Sequence, residues 1–193
     1  MASDDLLNLF RENKTVLTAR EVSLLWGPIG KDKIKSRLNY YVKTGALVSL
    51  RRGVYVKDKN NYDKLELATK IYTPAYVSLN TVLRNEGVVF QYYESIFVAS
   101  YLSREIKCGG QNFVFRKFKN SILTNPLGLI KQGNYFIASK ERAFLDTIYL
   151  YQSYYFDNLR SLDWQKCFEL LPIYQNKALE KKLKFYQKQY QDA

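Results

Sequence analysis

Lys31, Lys33, Lys35, Ser36, Arg37, Asn39, Tyr40 and Lys43 crowd into one short stretch, and Arg51 and Arg52 follow as a pair. These types suit a grip on duplex DNA. Arginine can pair bidentately with guanine, and asparagine with adenine. Lysine, serine and tyrosine suit phosphate contacts, and two arginines on a hairpin tip can clamp phosphates or enter a minor groove. Elsewhere the chemistry is thin. With no histidine, Ser-His and Cys-His nucleophile pairs and His-containing metal sites are excluded. Two cysteines, Cys108 and Cys167, cannot make a zinc cluster and read as reduced core residues. Neither a phosphate-binding Gly-Lys loop nor a nucleophile elbow occurs. Glu105-Ile106-Lys107 has the E-x-K spacing of some metal-dependent nucleases, with Glu86 or Glu94 as a distant carboxylate. The same spacing recurs at Glu180-Lys181-Lys182, and on a strand it fits a solvated edge. The expectation is a non-enzymatic protein with no cofactor and no metal.

The elements that must position the basic residues can be read from residues 1–60. Ser3 is an expected N-cap for a first helix with an apolar stripe of Leu6, Leu7, Leu9 and Phe10. Thr18-Ala19-Arg20-Glu21 fits a capping box opening a second helix, with Val22, Leu25 and Trp26 on its buried face. Gly27-Pro28-Ile29-Gly30 ends it. A third helix is predicted over 31–44, burying Ile34, Leu38 and Tyr41 or Val42 and turning the basic residues outward. Gly45 closes it. Two short strands then turn at Arg51-Arg52-Gly53. Helix, turn, basic helix and basic hairpin is the order of a winged helix-turn-helix.

The formal net charge of +12 and sequence pI near 9.5 favour a polyanionic partner, nucleic acid first and an acidic membrane surface second. Residues 1–60 hold twelve Lys/Arg against six Asp/Glu, and residues 61–193 hold eighteen against twelve. Each part is thus +6, the first at about double the density. No apolar run is long enough to span a bilayer, and the acidic MASDDLLNLF start does not fit a signal peptide. A cytoplasmic location without a membrane partner is expected.

The polar run Lys57-Asp58-Lys59-Asn60-Asn61 marks a boundary, giving domains 1–60 and 61–193. A helix is expected near 62–71 and another over 79–86, capped by Ser78 and stopped at Gly87. Strands are expected at 96–99, 105–108 and 112–118, the last two joined at Gly109-Gly110, with a second pair at 128–130 and 135–138. Ser139 caps a helix to about 151, and helices near 163–171 and 175–189 follow. The fold class is α+β: a winged helix-turn-helix, then a mixed domain with a small antiparallel sheet and C-terminal helices.

Pro74-Ala75-Tyr76-Val77-Ser78-Leu79-Asn80-Thr81-Val82-Leu83, followed by Asn85-Glu86-Gly87, resembles a signature of the AbiEi family of antitoxins. Ala138-Ser139-Lys140-Glu141-Arg142-Ala143-Phe144-Leu145-Asp146 resembles the family's second signature, and Arg52-Gly53-Val54-Tyr55 its wing. The likeness spans most of residues 5–150. Asn85-Glu86 departs from the commoner Tyr/His-rich helix end, and the part after about 155 matches nothing familiar. The resemblance implies a type IV toxin–antitoxin system. In such a system the antitoxin represses its own operon at inverted repeats in double-stranded DNA. It also counters a nucleotidyltransferase-like toxin, functionally if not by contact. On the residues alone, Ser78 and Ser139 are good caps, and Glu141, Arg142 and Asp146 a structural ion-pair set. The rival readings are a winged-helix regulator sensing a ligand or partner through 62–193, a metal-dependent nuclease, and a basic module without sequence preference.

Overall fold

The computed structural model describes residues 2–191, with side chains from Asp5 onward. The first helix, α1 (Ala2–Arg11), already includes Ser3, and the capping side chain expected there lies outside the described residues. Leu9 is buried, whereas Leu7 and Phe10 are about half exposed, so the α1 stripe is narrower than expected. After β1 (Val16–Thr18) comes α2 (Ala19–Trp26), opened by the expected capping box. The Glu21 backbone N–H donates to Thr18 Oγ1 at 3.2 Å, and Thr18 N donates to Glu21 Oε2 at 2.9 Å. The next elements are α3 (Lys31–Lys43), β2 (Val48–Arg51) and β3 (Val54–Val56). β3 lies between β1 and β2 in a three-stranded antiparallel sheet. Val22, Trp26, Ile34, Leu38, Tyr41 and Leu47 build the core beneath α2 and α3. Burying each large apolar side chain there contributes about 1.5–3 kcal/mol.

Residues 64–191 add α4 (Lys64–Ile71), β4 (Ala75–Val77), α5 (Asn80–Asn85), β5 (Ile96–Ser100), β6 (Arg104–Cys108), β7 (Gln111–Lys117), α6 (Asn120–Leu123), β8 (Leu129–Gln132), β9 (Tyr135–Ala138), α7 (Lys140–Leu150), α8 (Trp164–Leu170) and α9 (Lys177–Gln191). The fold is thus mixed α+β. The small antiparallel sheet expected is instead a six-stranded mixed sheet, ordered β6-β7-β5-β4-β9-β8. β5 runs parallel to β7 and β4 parallel to β9, while the hairpins β6–β7 and β8–β9 and the pair β4–β5 are antiparallel. The unexpected strand β4 is central and joins the two hairpin halves. One face of the sheet packs on α5 and α7, and α8 and α9 pack against α7, in one core that includes Val77, Val114, Phe144, Leu145 and Leu183.

The polar run 57–61 does separate elements, but it does not separate cores. Val16, Val54 and Val56 of the small sheet share one buried cluster with Leu67, Ala68, Val98, Phe113 and Phe115. Glu66 of α4 is buried at this junction. Its Oε2 accepts from Thr15 N at 2.9 Å, Thr15 Oγ1 at 2.7 Å and Val16 N at 3.4 Å. Tyr62 donates its hydroxyl to the Gly109 carbonyl at 2.8 Å. Gly109 sits at φ +57°, and a Cβ there would stand 2.2 Å from the Tyr62 oxygen, so only glycine fits this contact.

Candidate nucleic-acid interface

α3 turns three faces outward. Ser36, Asn39 and Lys43 lie opposite the buried Ile34, Leu38 and Tyr41. Lys33 and Tyr40 flank them on the side of α1, with Tyr40 60% exposed. Lys31 and Lys35 flank them on the side of α2, and both are exposed. Gly30 precedes the helix and supplies no side-chain cap. Lys31 and Lys33 therefore stand in a first turn whose free N–H groups and dipole disfavour cations. Asp32, between them in the same turn, obeys the preference and offsets part of that cost.

Arg37 is less free than its neighbours. It forms an ion pair with Asp5 of α1, which draws it toward that helix. Arg51 and Arg52 do not form one tip. Arg52 is exposed at the turn, whereas Arg51 lies 5.2 Å above the Tyr72 ring of the second unit. The Tyr72 hydroxyl accepts from Arg104 at 3.2 Å, and that guanidinium holds the phenol below its ordinary pKa. The hairpin is short, and the Ala19 N–H donates to the Gly53 carbonyl at 2.9 Å, pinning the turn against the start of α2.

Arg20, Ser23 and Tyr55 escaped sequence reasoning. With Lys31, Ile34, Lys35 and Leu38 they line a groove between α2, α3 and β3. The available signal was Arg20 itself, a cation in the first turn of α2, where the dipole again disfavours it.

The two signature segments meet in the interior. Ser78 does not cap α5; Leu79 occupies the capping position, at φ +57°. The Ser78 hydroxyl instead donates to Asp146 Oδ2 at 2.7 Å. Tyr174 donates to Asp146 Oδ1 at 2.7 Å, and Tyr76 to Oδ2 at 3.0 Å. Arg142 Nε lies 3.4 Å from Asp146 Oδ1, and its two terminal nitrogens donate to the Leu127 and Ile122 carbonyls at 2.6 and 2.7 Å. Both charged side chains are fully buried. Burial works against the Arg142 charge, but Tyr174, Asp146 and Tyr76 around it raise its pKa above the ordinary value. Burial also pushes the Asp146 carboxyl up, against the pull of Arg142 and the three hydroxyls. Ser139 does cap α7, accepting from Arg142 N at 3.2 Å, while Glu141 takes no part in the ion pair and faces the Asp163 N–H at 3.5 Å.

The E-x-K pair sits on edge strand β6. Glu105 is 66% exposed and paired with Arg116 at 3.1 Å, and among the described residues no three His, Cys, Asp or Glu side chains are grouped for a metal. Cys108 and Cys167 are buried and unpaired, and burial pushes the Cys167 thiol up to about 12. Among the described residues no helix is long and apolar enough to cross a membrane. In comparison with known proteins, no family model matches this chain, and no curated protein sequence matches it.

Proposed function

We propose that this chain is a DNA-binding autorepressor and antitoxin of a type IV toxin–antitoxin system, without catalytic activity. Its first unit would be a winged helix-turn-helix. The single observation carrying the DNA reading is the outer surface of α3. Lys31, Lys33, Lys35, Ser36, Asn39, Tyr40 and Lys43 are all exposed there, over a helix whose opposite face is core. The order α1, β1, α2, α3, β2, β3 and the sheet order β1-β3-β2 support the winged-helix reading. In this reading α3 enters a major groove, Asn39 meets base edges, and the lysines neutralise phosphates. Arg37 stays tied to Asp5, and Arg52 rather than Arg51 serves the hairpin tip. The antitoxin role rests on the resemblance of residues 74–87 and 138–146 to the AbiEi signatures, and its partner would be a nucleotidyltransferase-like toxin. The buried network shared by those segments supports a structural part for them, so antitoxicity belongs to some outer surface of the second unit.

The test is binding of the purified full chain to its own upstream duplex and to a random duplex, each at several salt concentrations. Preference for the upstream duplex is expected, with affinity falling steeply as salt rises. Replacing Lys35 and Lys43 with Ala should shift the log–log salt slope by about 0.9 for each phosphate no longer neutralised. Equal affinity for the two duplexes refutes specific repression. Co-expression with the neighbouring gene, scored by growth, tests the antitoxin half.

A further inference from the structure

The groove between α2, α3 and β3 encloses about 380 Å³. Its floor is apolar: Ile34 and Leu38 are core residues, and Tyr55 and Ala19 are partly buried. Its rim is cationic, with Arg20 on α2 and Lys31 and Lys35 on α3. Among the described residues none of these three cations has a carboxylate partner. Ser23 adds one hydroxyl on the α2 side. The uncapped start of α3 adds positive potential beside Lys31, which the exposed Asp32 carboxylate of the same turn partly offsets. Small-molecule sites have this build, an apolar cavity of ~300–1,000 Å³ with a few converging polar groups. A phosphate backbone alone does not match it, because phosphates gain nothing from an apolar floor.

We infer that this groove binds an amphipathic organic anion. A carboxylate or sulfonate head is held by Arg20, Lys31 and Lys35, and an apolar body lies on Ile34, Leu38 and Tyr55. Guanidinium and ammonium donors give the head charge-assisted hydrogen bonds. Leaving water gives the body its share of the affinity. Lys31 and Lys35 also belong to the proposed DNA surface, so occupancy neutralises two of its cations and the anion competes with duplex. Binding itself is independent of the DNA proposal; the competition rests on it.

The test uses the full chain and two named probes. Anilinonaphthalene sulfonate is titrated by fluorescence, and decanoate is then added to displace it. One saturable site with competitive displacement is expected. Ser23→Phe fills the groove without changing charge, and it should weaken both probes about tenfold or more, the effect expected when a side chain's worth of apolar burial is denied to the ligand. Lys31→Gln/Lys35→Gln should weaken them by a similar factor through the head group, about tenfold. Circular dichroism checks that both variants fold. Binding that never saturates, or that survives Ser23→Phe unchanged in folded protein, overturns the site. In a second arm, decanoate is expected to lower affinity for the upstream duplex in the parent chain but not in Ser23→Phe. Decanoate binding without any effect on duplex affinity overturns the competition. A chain that binds no duplex in the absence of decanoate overturns the DNA proposal and leaves the groove result standing.

Discussion

Asp146→Asn is a one-atom change with a large expected cost. The carboxylate accepts from Ser78, Tyr76, Tyr174 and Arg142, and every one of these neighbours is a donor. Turned toward Oδ1's partners, the new amide nitrogen meets the Arg142 Nε–H. Turned the other way, it meets two hydroxyls that must reverse to accept. Either way Arg142 keeps its charge at zero exposure with no counter-charge. Breaking a buried pair in this way costs about 3–5 kcal/mol. In a chain of this length, about 2–4 °C of melting temperature goes with each kcal/mol, so the midpoint should drop by roughly 6–20 °C. Urea and thermal unfolding followed by circular dichroism measure it. Arg142→Met leaves Asp146 with three hydroxyl donors but strips the donor from the Leu127 and Ile122 carbonyls. The double variant Arg142→Met/Asp146→Leu should recover part of the loss, because the uncompensated charge is gone. A cost for Asp146→Asn below about 1 kcal/mol would show that the side chains do not form a dry ion pair and refute the reasoning. Folded Asp146→Asn should bind duplex as the parent does, since none of these groups reaches the surface.

Three further outcomes are expected. Burial opposes the Glu21 charge, yet Lys70 and Thr18 overcome it and bring the carboxyl from 4.5 to about 2. A depressed acid stabilises above its unfolded pKa, so up to about 3 kcal/mol is present above pH 4.5 and lost as pH falls toward 2. Lys70→Met should flatten that acid limb of the stability curve, and an unchanged limb would count against the contact. Gly109→Ala drives a Cβ into the Tyr62 hydroxyl and should cost about 1–3 kcal/mol by urea unfolding; Tyr62→Phe alone should lose only the hydrogen bond, and added to Gly109→Ala it should recover part of the cost by removing the oxygen that the Cβ meets. Arg52→Ala is expected to weaken duplex binding measured by gel shift, while Arg51→Ala should mainly lower stability by about 0.5–1 kcal/mol, because no guanidinium then covers the Tyr72 ring; the reverse pattern would put Arg51 back on the DNA surface.

What the chain reveals about itself locally was legible. The Thr18–Glu21 box, the Gly27–Gly30 break, the α3 face and both glycine-marked hairpins depend on neighbours in sequence, and the structure has them. The hidden features depend on distant partners. β4 is three residues long and buried on a central position, so it shows no alternation to read. The parallel pairings β5–β7 and β4–β9 leave no turn signal, which is why the sheet looked small and antiparallel. Ser78 has a capping residue's type and place, but Asp146, far along the chain, claims its hydroxyl. Arg37 and Arg51 look like free cations until Asp5 and Tyr72 come into range. At the candidate interface the basic residues were visible in the sequence, but the groove was not. Its walls come from three elements, and no single element announces a concavity.

The Glu66 clasp and the shared apolar cluster have a mechanical meaning for the proposed role. A reading helix on a flexible tether can slide to meet a half-site wherever it lies. Here β1 is clamped to α4 by a buried carboxylate, and the small sheet shares a buried cluster with the large one. In the proposed role, α3 and the body behind it would turn as one lever. Two copies on an inverted repeat would then have a single rotational phase set by how their bodies clear one another. Lengthening the spacer between half-sites by half a helical turn would put the second copy on the wrong side of the duplex, with no slack in the chain to bring it back.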